Sequence, residues 1–180
     1  VTAVGLTDPN VEGVEFLEIP EKRPNSGKTK LIEAVLALFG RFEYLFWKQE
    51  NIRGLKERLD GYKSRVDFVI ANDATILPLA AYYAKKWTAE LIVDLHEYAP
   101  REMEENLKWR LRYKRYYSYI LRKYLPQARA VMTVCDGIAK VLKANFGVAP
   151  TIVTNAPAYE DLAPSPINPS RIDLIHHGGA

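Results

Sequence analysis

The segment Asp94-Leu95-His96-Glu97 places three ionisable side chains within four residues. It follows an apolar run at residues 90–94 that is typical of a buried strand. If the chain stays extended, Asp94 and His96 point to one side and Glu97 turns away. A carboxylate beside an imidazole fixes which ring nitrogen carries the proton. His96 is therefore the candidate catalytic residue, and a purely structural histidine is the alternative.

Two other predicted strands also end in polar residues. Asn72 and Asp73 follow a strand at 66–71, and Cys135 and Asp136 follow one at 130–134. Ligands of open α/β sheets lie beyond the carboxyl ends of the strands, so these residues are candidates for binding. A second interpretation stays open, because Asp is a favoured N-cap for a following helix and Asn often satisfies turn backbone.

The elements that must position these residues alternate along the chain. Short β-branched runs predict strands at 1–5, 14–19, 66–71, 90–94, 130–134 and 151–153, and helical periodicity predicts helices at 76–87, 102–125 and 137–146. This spacing is that of βαβ crossovers. The predicted fold class is doubly wound α/β, with a parallel sheet covered by helices on both faces.

Residues 108–124 contain seven basic side chains, six aromatic ones and no acid. At helical spacing the aromatic residues form a core stripe, which Leu107 and Leu111 widen. Five cations form a separate arc without negative charge: Lys108, Arg112, Arg115, Arg122 and Lys123. A solvated face, an anionic membrane surface and a phosphate-bearing acceptor all fit this arc. Nucleic acid fits least, since no RNA-binding or helix-turn-helix pattern accompanies the charge.

Composition limits the function classes. The chain has 180 residues, of which 48% are hydrophobic, enough for one globular core. No stretch reaches the roughly 18 apolar residues of a membrane-spanning helix. The single cysteine fits a reducing cytoplasm. Residues 1–100 hold 13 basic and 15 acidic side chains and residues 101–180 hold 12 and 7, so the basic second half favours an anionic partner.

Proline spacing predicts the domain organisation. We expect one domain over residues 1–156, a Pro-rich linker over 157–170, and the first strand and turn of a second domain over 171–180. At the other end, Val1 opens directly in a strand. We expect the usual first strand of such a sheet, and the turn after it, to lie upstream.

The order of motifs resembles the N-terminal domain of glycosyltransferase family 4, the large retaining family of GT-B fold. The motifs are Ala71-Asn72-Asp73 with Leu77-Pro78, Asp94-Leu95-His96-Glu97, Val131 to Ala139, and Asn155-Ala156-Pro157. Residues 172–179 resemble the first strand and glycine turn of the family's C-terminal domain. The family usually has Ser where this chain has Cys135.

This resemblance implies a Rossmann-like, acceptor-side half of an enzyme. The expected reaction transfers a sugar, with retention, from a nucleotide-diphosphate sugar to a glycan or lipid-linked acceptor, without a cofactor or a required metal. His96 would lie at the floor of the interdomain cleft. Asn72, Asp73 and Glu97 would contact the acceptor, and Asn155, Gly178 and Gly179 the donor.

We expect the enzyme in the cytoplasm, at the inner face of the membrane if the basic arc binds lipid. Without the donor-side half, this chain alone is expected to be inactive. The alternative hypothesis is a non-catalytic α/β module that docks on anionic membranes or a protein partner through the basic helix.

Overall fold

The structure, a computed structural model, describes residues 1–20, 27–163 and 170–171. Its strands are β1 (Thr2–Gly5), β2 (Glu15–Glu18), β3 (Phe68–Asn72), β4 (Glu90–Leu95), β5 (Ala130–Thr133) and β6 (Thr151–Ile152). Its helices are α1 (Gly27–Leu38), α2 (Phe42–Trp47), α3 (Glu50–Asp60), α4 (Leu77–Trp87), α5 (Leu107–Trp109), α6 (Arg115–Tyr124) and α7 (Asp136–Phe146). All six predicted strands are present, whereas the sequence analysis assigned no element to α1, α2 or α3.

The strands form two parallel sheets. Four strands pair in the order β3-β4-β5-β6, and β1 pairs with β2 in a separate two-stranded sheet. In the larger sheet Asn72 lies opposite Asp94, and Leu95 opposite Thr133. Parallel strands joined through helices give the chain a Rossmann-like α/β fold.

The main core lies between the four-stranded sheet and the helices that connect its strands. Along β4 the side chains of Leu91, Val93 and Leu95 are buried. Small residues of α4, Ala80, Ala81 and Ala84 among them, pack in the same cluster as the C-terminal part of α6. This packing fixes the position of β4, and therefore of His96, which directly follows the last residue of that strand.

The helix predicted over 102–125 begins only at Leu107 and changes its geometry on the way. Asn106 caps it by accepting a hydrogen bond from the backbone N–H of Trp109 at 3.1 Å. Residues Arg110–Lys114 form a π-helical segment between α5 and α6. The wider turn rotates α5 relative to α6. As a result Leu107 and Leu111 are exposed, so the prediction that they widen the core stripe was wrong.

Helix α3 connects the small sheet to α4. The hydroxyl of Tyr83 on α4 donates to the backbone oxygen of Lys56 at 2.8 Å and to Asp60 at 2.9 Å. Lys86 binds the same carboxylate at 2.6 Å. Hydrogen bonds from Lys56, then Lys86 and Tyr83, hold the pKa of Asp60 well below its usual range.

The chain after β6 carries no helix or strand from residue 153 to residue 163. The remainder of the predicted linker, apart from Ser170, and residues 172–180 lie outside the described residues. The predicted domain boundaries, and the placement of Gly178 and Gly179, therefore stay predictions.

Candidate functional site

The candidate site forms where β3 and β4 end side by side. Asp94 and His96 lie on the same side as predicted, with His96 Nε2 3.1 Å from Asp94 Oδ2. The backbone N–H of His96 donates to Asp73 Oδ1 at 3.2 Å. In turn the backbone N–H of Asp73 donates to the carbonyl oxygen of Asp94 at 2.8 Å. The two strand exits are thus joined by one backbone–backbone hydrogen bond and by one from a backbone N–H to the Asp73 carboxylate.

Asp73 does not cap the following helix. Helix α4 begins at Leu77, after a turn, and its N-cap position is Ile76. Asp73 has a φ of 68°, in the left-handed region that non-glycine residues seldom adopt. Its carboxylate turns toward His96 instead. The capping interpretation was therefore wrong for Asp73, and strain of this kind is often found at functional sites.

A small cavity of about 190 Å³ adjoins His96. Its lining residues are Asp73, Ala74, Thr75, His96, Glu97, Ala99 and Glu102. Glu97 was expected to turn away from His96, yet it lines the same cavity. The reason is that β4 ends at Leu95 and the chain bends at residues 96–97, which breaks the strand alternation.

Glu102 lines the same cavity, although it was not among the predicted site residues. It was assigned to a helix, but residues Ala99–Arg101 form a 3-10 turn that brings Glu102 back to the cavity. Burial raises the pKa of the Glu102 carboxyl, and the charges of Glu97 and Asp73 raise it further. Pro100, early in this turn, was the signal in the sequence that could have marked the change of direction.

Carboxylate acceptors dominate the lining of the cavity. Three carboxylates and an imidazole surround it, and none of its lining residues is Lys or Arg. Such a set suits a ligand rich in hydroxyl groups, since carboxylates accept hydrogen bonds and repel phosphate.

Asn72, Asn155 and Asp136, the other predicted binding residues that the structure describes, do not line this cavity. Asn72 ends β3 but lines a second, larger cavity beside the sheet. Asn155 is exposed in the irregular stretch after β6. Asp136 is the first residue of α7, where Cys135 occupies the N-cap position, and its carboxylate pairs with Lys140. The capping interpretation was therefore wrong for Asp136 as well.

Comparison with known families identifies the family of the chain. The family model described as Glycosyltransferase Family 4 matches residues 14–158, which include β3, β4 and the whole His96 cavity. The chain belongs to glycosyltransferase family 4. No curated protein and no solved structure matches it.

The basic arc of this family 4 domain is not a separate, uncompensated face. Arg112 contacts the nearly buried Glu33 of α1 at 2.9 Å, and Lys123 contacts Glu43 of α2 at 2.9 Å. Arg115 donates to the carbonyl oxygen of Leu38 at 3.4 Å. The prediction of an arc without negative charge was wrong, because the two carboxylates come from helices that the sequence analysis did not foresee.

Glu43 links α2 to the end of α6 more firmly than a surface ion pair would. Burial raises the pKa of its carboxyl, but hydrogen bonds from Tyr124 and Lys123 outweigh burial and lower that pKa overall. The Tyr124 hydroxyl donates at 2.6 Å. In contrast, the Arg122 side chain is exposed and makes no hydrogen bond or ion pair within the described ranges, and the side chain of Lys108 lies outside them.

No helix in the described part of the chain is long and apolar enough to cross a membrane. Residues 1–20, 27–163 and 170–171 contain no group of three His, Cys, Asp or Glu side chains placed to hold a metal ion.

Proposed function

We propose that this chain is the N-terminal, acceptor-side half of a retaining GT-B glycosyltransferase. The enzyme transfers a sugar from a nucleotide-diphosphate sugar to a glycan or lipid-linked acceptor in the cytoplasm. The observation that carries the proposal is the Asp94–His96 pair beside a carboxylate-lined cavity without Lys or Arg, at the carboxyl edge of a family 4 sheet. A non-catalytic module would have no need of this convergence.

The cavity chemistry supports the division of labour between two halves. Asp73, Glu97 and Glu102 accept hydrogen bonds from the hydroxyl groups of an acceptor sugar. They would repel a diphosphate, so the donor phosphates belong to the other half, with Asn155, Gly178 and Gly179 on the donor side. Glycine N–H groups can approach a diphosphate closely because no Cβ intervenes.

His96 has a positioning and electrostatic role at the transferred sugar in this scheme. Asp94 accepts a hydrogen bond from its ring, which orients the imidazole. Displacement on the donor's front face breaks the sugar–phosphate bond as the acceptor oxygen attacks. The leaving phosphate takes the acceptor proton, so the reaction requires no protein nucleophile.

The test uses a polypeptide that continues through a donor-side domain. It is incubated with a panel of nucleotide-diphosphate sugars and oligosaccharide or polyprenyl-phosphate-sugar acceptors. We expect transfer with one donor, and an unchanged anomeric configuration in the product by NMR. Residues 1–180 alone should show no submillimolar binding of the same donors by calorimetry. Absence of transfer with every donor, or tight donor binding by this chain, would overturn the assignment.

We further propose that the enzyme contacts an anionic membrane surface peripherally. Helix α1 supports this, because large apolar side chains are exposed from residue 31 onward: Leu31, Ile32, Val35 and Leu38, followed by Phe39. They share an arc of about 120°, whereas Glu33 and Ala37 on the opposite side are buried. Arg115 reaches the end of α1 and Arg41 follows it, so an apolar stripe and cations adjoin as in interfacial helices.

A further inference from the structure

The peptide group between Leu95 and His96 is held at both of its polar atoms by side chains of neighbouring strands. Its N–H, which belongs to His96, donates to Asp73 Oδ1 at 3.2 Å. Its carbonyl oxygen, which belongs to Leu95, accepts a hydrogen bond from the hydroxyl of Thr133 at 2.7 Å. We call this arrangement of Asp73, Thr133 and the peptide group between them the peptide clamp.

The two sides of the peptide clamp come from different strands. Asp73 directly follows β3 and Thr133 is the last residue of β5, so the clamp spans β4, which lies between them. Leu95 and Thr133 are also partners in the register of β4 and β5. The carbonyl oxygen of Thr133 accepts from the backbone N–H of Val153, just after β6, at 2.8 Å. The hydroxyl is therefore presented by a strand that is itself paired on both sides.

Thr133 is a polar residue in apolar surroundings. Its exposed fraction is 0%, and both Val131 on the same side of β5 and Leu95 belong to the main core. Burial of a hydroxyl costs free energy unless the protein supplies a hydrogen bond in place of water. Valine has nearly the same shape as threonine and would avoid that cost. The hydroxyl therefore has a role beyond packing, and its partner shows that this role is to hold the Leu95 carbonyl.

The peptide clamp determines where the side chain of His96 starts. A peptide group is planar, and the Cα of the following residue lies in its plane. Holding both the N–H and the C=O of this group therefore fixes the Cα of His96. The support is needed at this point because β4 ends at Leu95 and the chain bends at residues 96–97, beyond the regular pairing of the sheet.

The peptide clamp and Asp94 restrain different parts of His96. Asp94 Oδ2 lies 3.1 Å from Nε2 and restrains the ring, whereas the clamp restrains the main chain from which the side chain projects. The position of the ring depends on both. A displacement of about 1 Å at a reacting group can lower a rate by about 100-fold, so support behind the histidine affects the reaction.

We propose that Thr133 is a positioning residue for His96, an inference that rests on the proposed sugar transfer. Thr133 is fully buried and touches neither donor nor acceptor. It acts through the peptide group between Leu95 and His96, which it keeps in the orientation that brings the imidazole to the transferred sugar. Loss of the hydroxyl therefore lowers turnover and leaves acceptor binding nearly unchanged, because the carboxylates that line the cavity stay in place.

The kinetic test compares Thr133→Val with Thr133→Ser in a polypeptide that carries both domains. Thr133→Val should lower kcat by at least about fivefold and change the KM for the acceptor by less than about twofold, because only the positioning of His96 is impaired. Thr133→Ser keeps the hydroxyl and should restore most of the turnover. Thr151→Val, which removes an exposed hydroxyl from β6, is the matched control and should match the wild type.

A double-mutant cycle separates positioning from a general effect on the fold. In the His96→Ala background, Thr133→Val should cause no further loss of kcat, because the side chain that it positions is gone. A loss of equal size in both backgrounds, or wild-type turnover in a folded Thr133→Val variant, would overturn the proposal. Should Thr133→Val not fold, Thr133→Cys takes its place, because a thiol is a weak hydrogen-bond donor.

Amide hydrogen exchange in residues 1–180 tests the peptide clamp without sugar transfer. The His96 amide should exchange at least about tenfold faster in Thr133→Val than in the wild type, because its peptide group loses one of two partners. The amide of Val153, bonded to the backbone of Thr133, is the internal reference and should keep its rate while β5 and β6 stay paired. Unchanged exchange at His96 would contradict the clamp even in an active enzyme, and faster exchange would support it even if no sugar transfer is found.

Discussion

At the scale of single residues, the carboxylates around His96 make different contacts with it. Asp94 contacts the ring, Asp73 binds the backbone N–H of His96, and Glu97 and Glu102 line the cavity. One histidine therefore has both its ring and its main chain held by acidic partners on two different strands. This is the kind of support that a reacting group requires.

His96→Ala should lower turnover by at least tenfold in a polypeptide that carries both domains, a loss of about 1.4 kcal/mol of transition-state stabilisation. Asp94→Asn should cause a smaller loss and alter the pH profile, because it removes only the carboxylate that orients the ring. Initial rates and circular dichroism on both variants make the comparison. Wild-type rates in a folded His96→Ala variant would show that the histidine is structural.

Glu102→Gln should raise the Tm slightly at pH 7. The raised pKa of Glu102 means that the folded state disfavours its charge, so the wild type loses stability as pH rises from the ordinary glutamate pKa through the folded one. The gain should stay below about 0.5 kcal/mol because the residue is exposed and solvent screens its charge. It should disappear at pH values below about 4, where Glu102 is protonated in both states.

Glu104→Gln provides the control with the opposite sign. A hydrogen bond from Arg101 lowers the pKa of Glu104, so its charge stabilises the folded state above the ordinary pKa and this contribution is lost as pH falls through the folded one. Thermal melts across the pH range should show Glu104→Gln losing stability at pH 7. A shift of equal sign in the two variants would contradict this description of the cavity.

At the scale of elements, the 107–124 helix has two parts with different surroundings. Its α6 part contributes Ile120 and Leu121 to the main core, whereas Leu111 in the π-helical segment is exposed. Because the π-helical segment rotates one part of the helix relative to the other, residues of one sequence stripe face solvent in the first part and the core in the second. Regular helical periodicity would place both parts against the same core.

Ile120→Ala should destabilise the domain by about 3 kcal/mol, because Ile120 is fully buried and the change leaves a cavity. Leu111→Ala on the same helix should change the free energy of unfolding by less than about 0.5 kcal/mol, since Leu111 is 69% exposed. Urea unfolding of both variants measures the difference. Similar losses would mean that the helix is regular and that Leu111 is core.

Arg112→Ala should destabilise the domain by about 1 to 2 kcal/mol, because it leaves the nearly buried Glu33 with one cation fewer. Lys48, at 3.3 Å from the same carboxylate, limits the loss. Arg122→Ala is the matched control and should be neutral, since that side chain is exposed. Equal Tm values for the two variants would show that the Arg112–Glu33 contact does not stabilise the fold and that Arg112 is an ordinary solvated residue.

At the scale of the whole molecule, the apolar stripe of α1 and the His96 cavity mark two distinct surfaces. The cavity lies at the carboxyl edge of the four-stranded sheet, whereas α1 packs on α2 and on the π-helical segment. The proposed lipid-linked acceptor would require both surfaces, because its lipid lies in the bilayer and its sugar must reach the cavity. The stripe would hold the enzyme at the bilayer while the cavity receives the sugar.

The double change Leu38→Ser, Phe39→Ser should reduce sedimentation with anionic liposomes, because it removes exposed apolar area from α1. Raised salt should reduce binding of the wild type as well, by screening cations such as Arg41 and Arg115. Leu162→Ser is the control, an equally exposed leucine outside the stripe. Equal binding by the double variant and the wild type at low salt would show that the apolar residues of α1 do not contact the membrane.

The sequence by itself determined the class of fold and the centre of the site. All six strands were predicted, and the proximity of Asp94 to His96 followed from strand alternation alone. Both depend on periodicities of two or about 3.6 residues, which a single sequence displays directly. Helices α1 and α2 were not predicted, because α1 exposes its apolar side, against the usual pattern, and α2 is only six residues long. Helix α3 was missed although Ile52, Leu55 and Leu59 follow a regular helical spacing and are buried.

Only the tertiary structure determines which charged and polar side chains from distant parts of the chain contact each other. Arg112 and Glu33 are 79 residues apart and Tyr124 and Glu43 are 81 apart, so no local spacing relates them. Likewise Glu102 reaches the His96 cavity only because the chain turns at residues 99–101. Contacts between distant segments depend on how whole elements pack, and packing depends on shape and burial along the entire chain. Local patterns therefore predicted the strand ends, and only the assembled fold showed which side chains share the cavity.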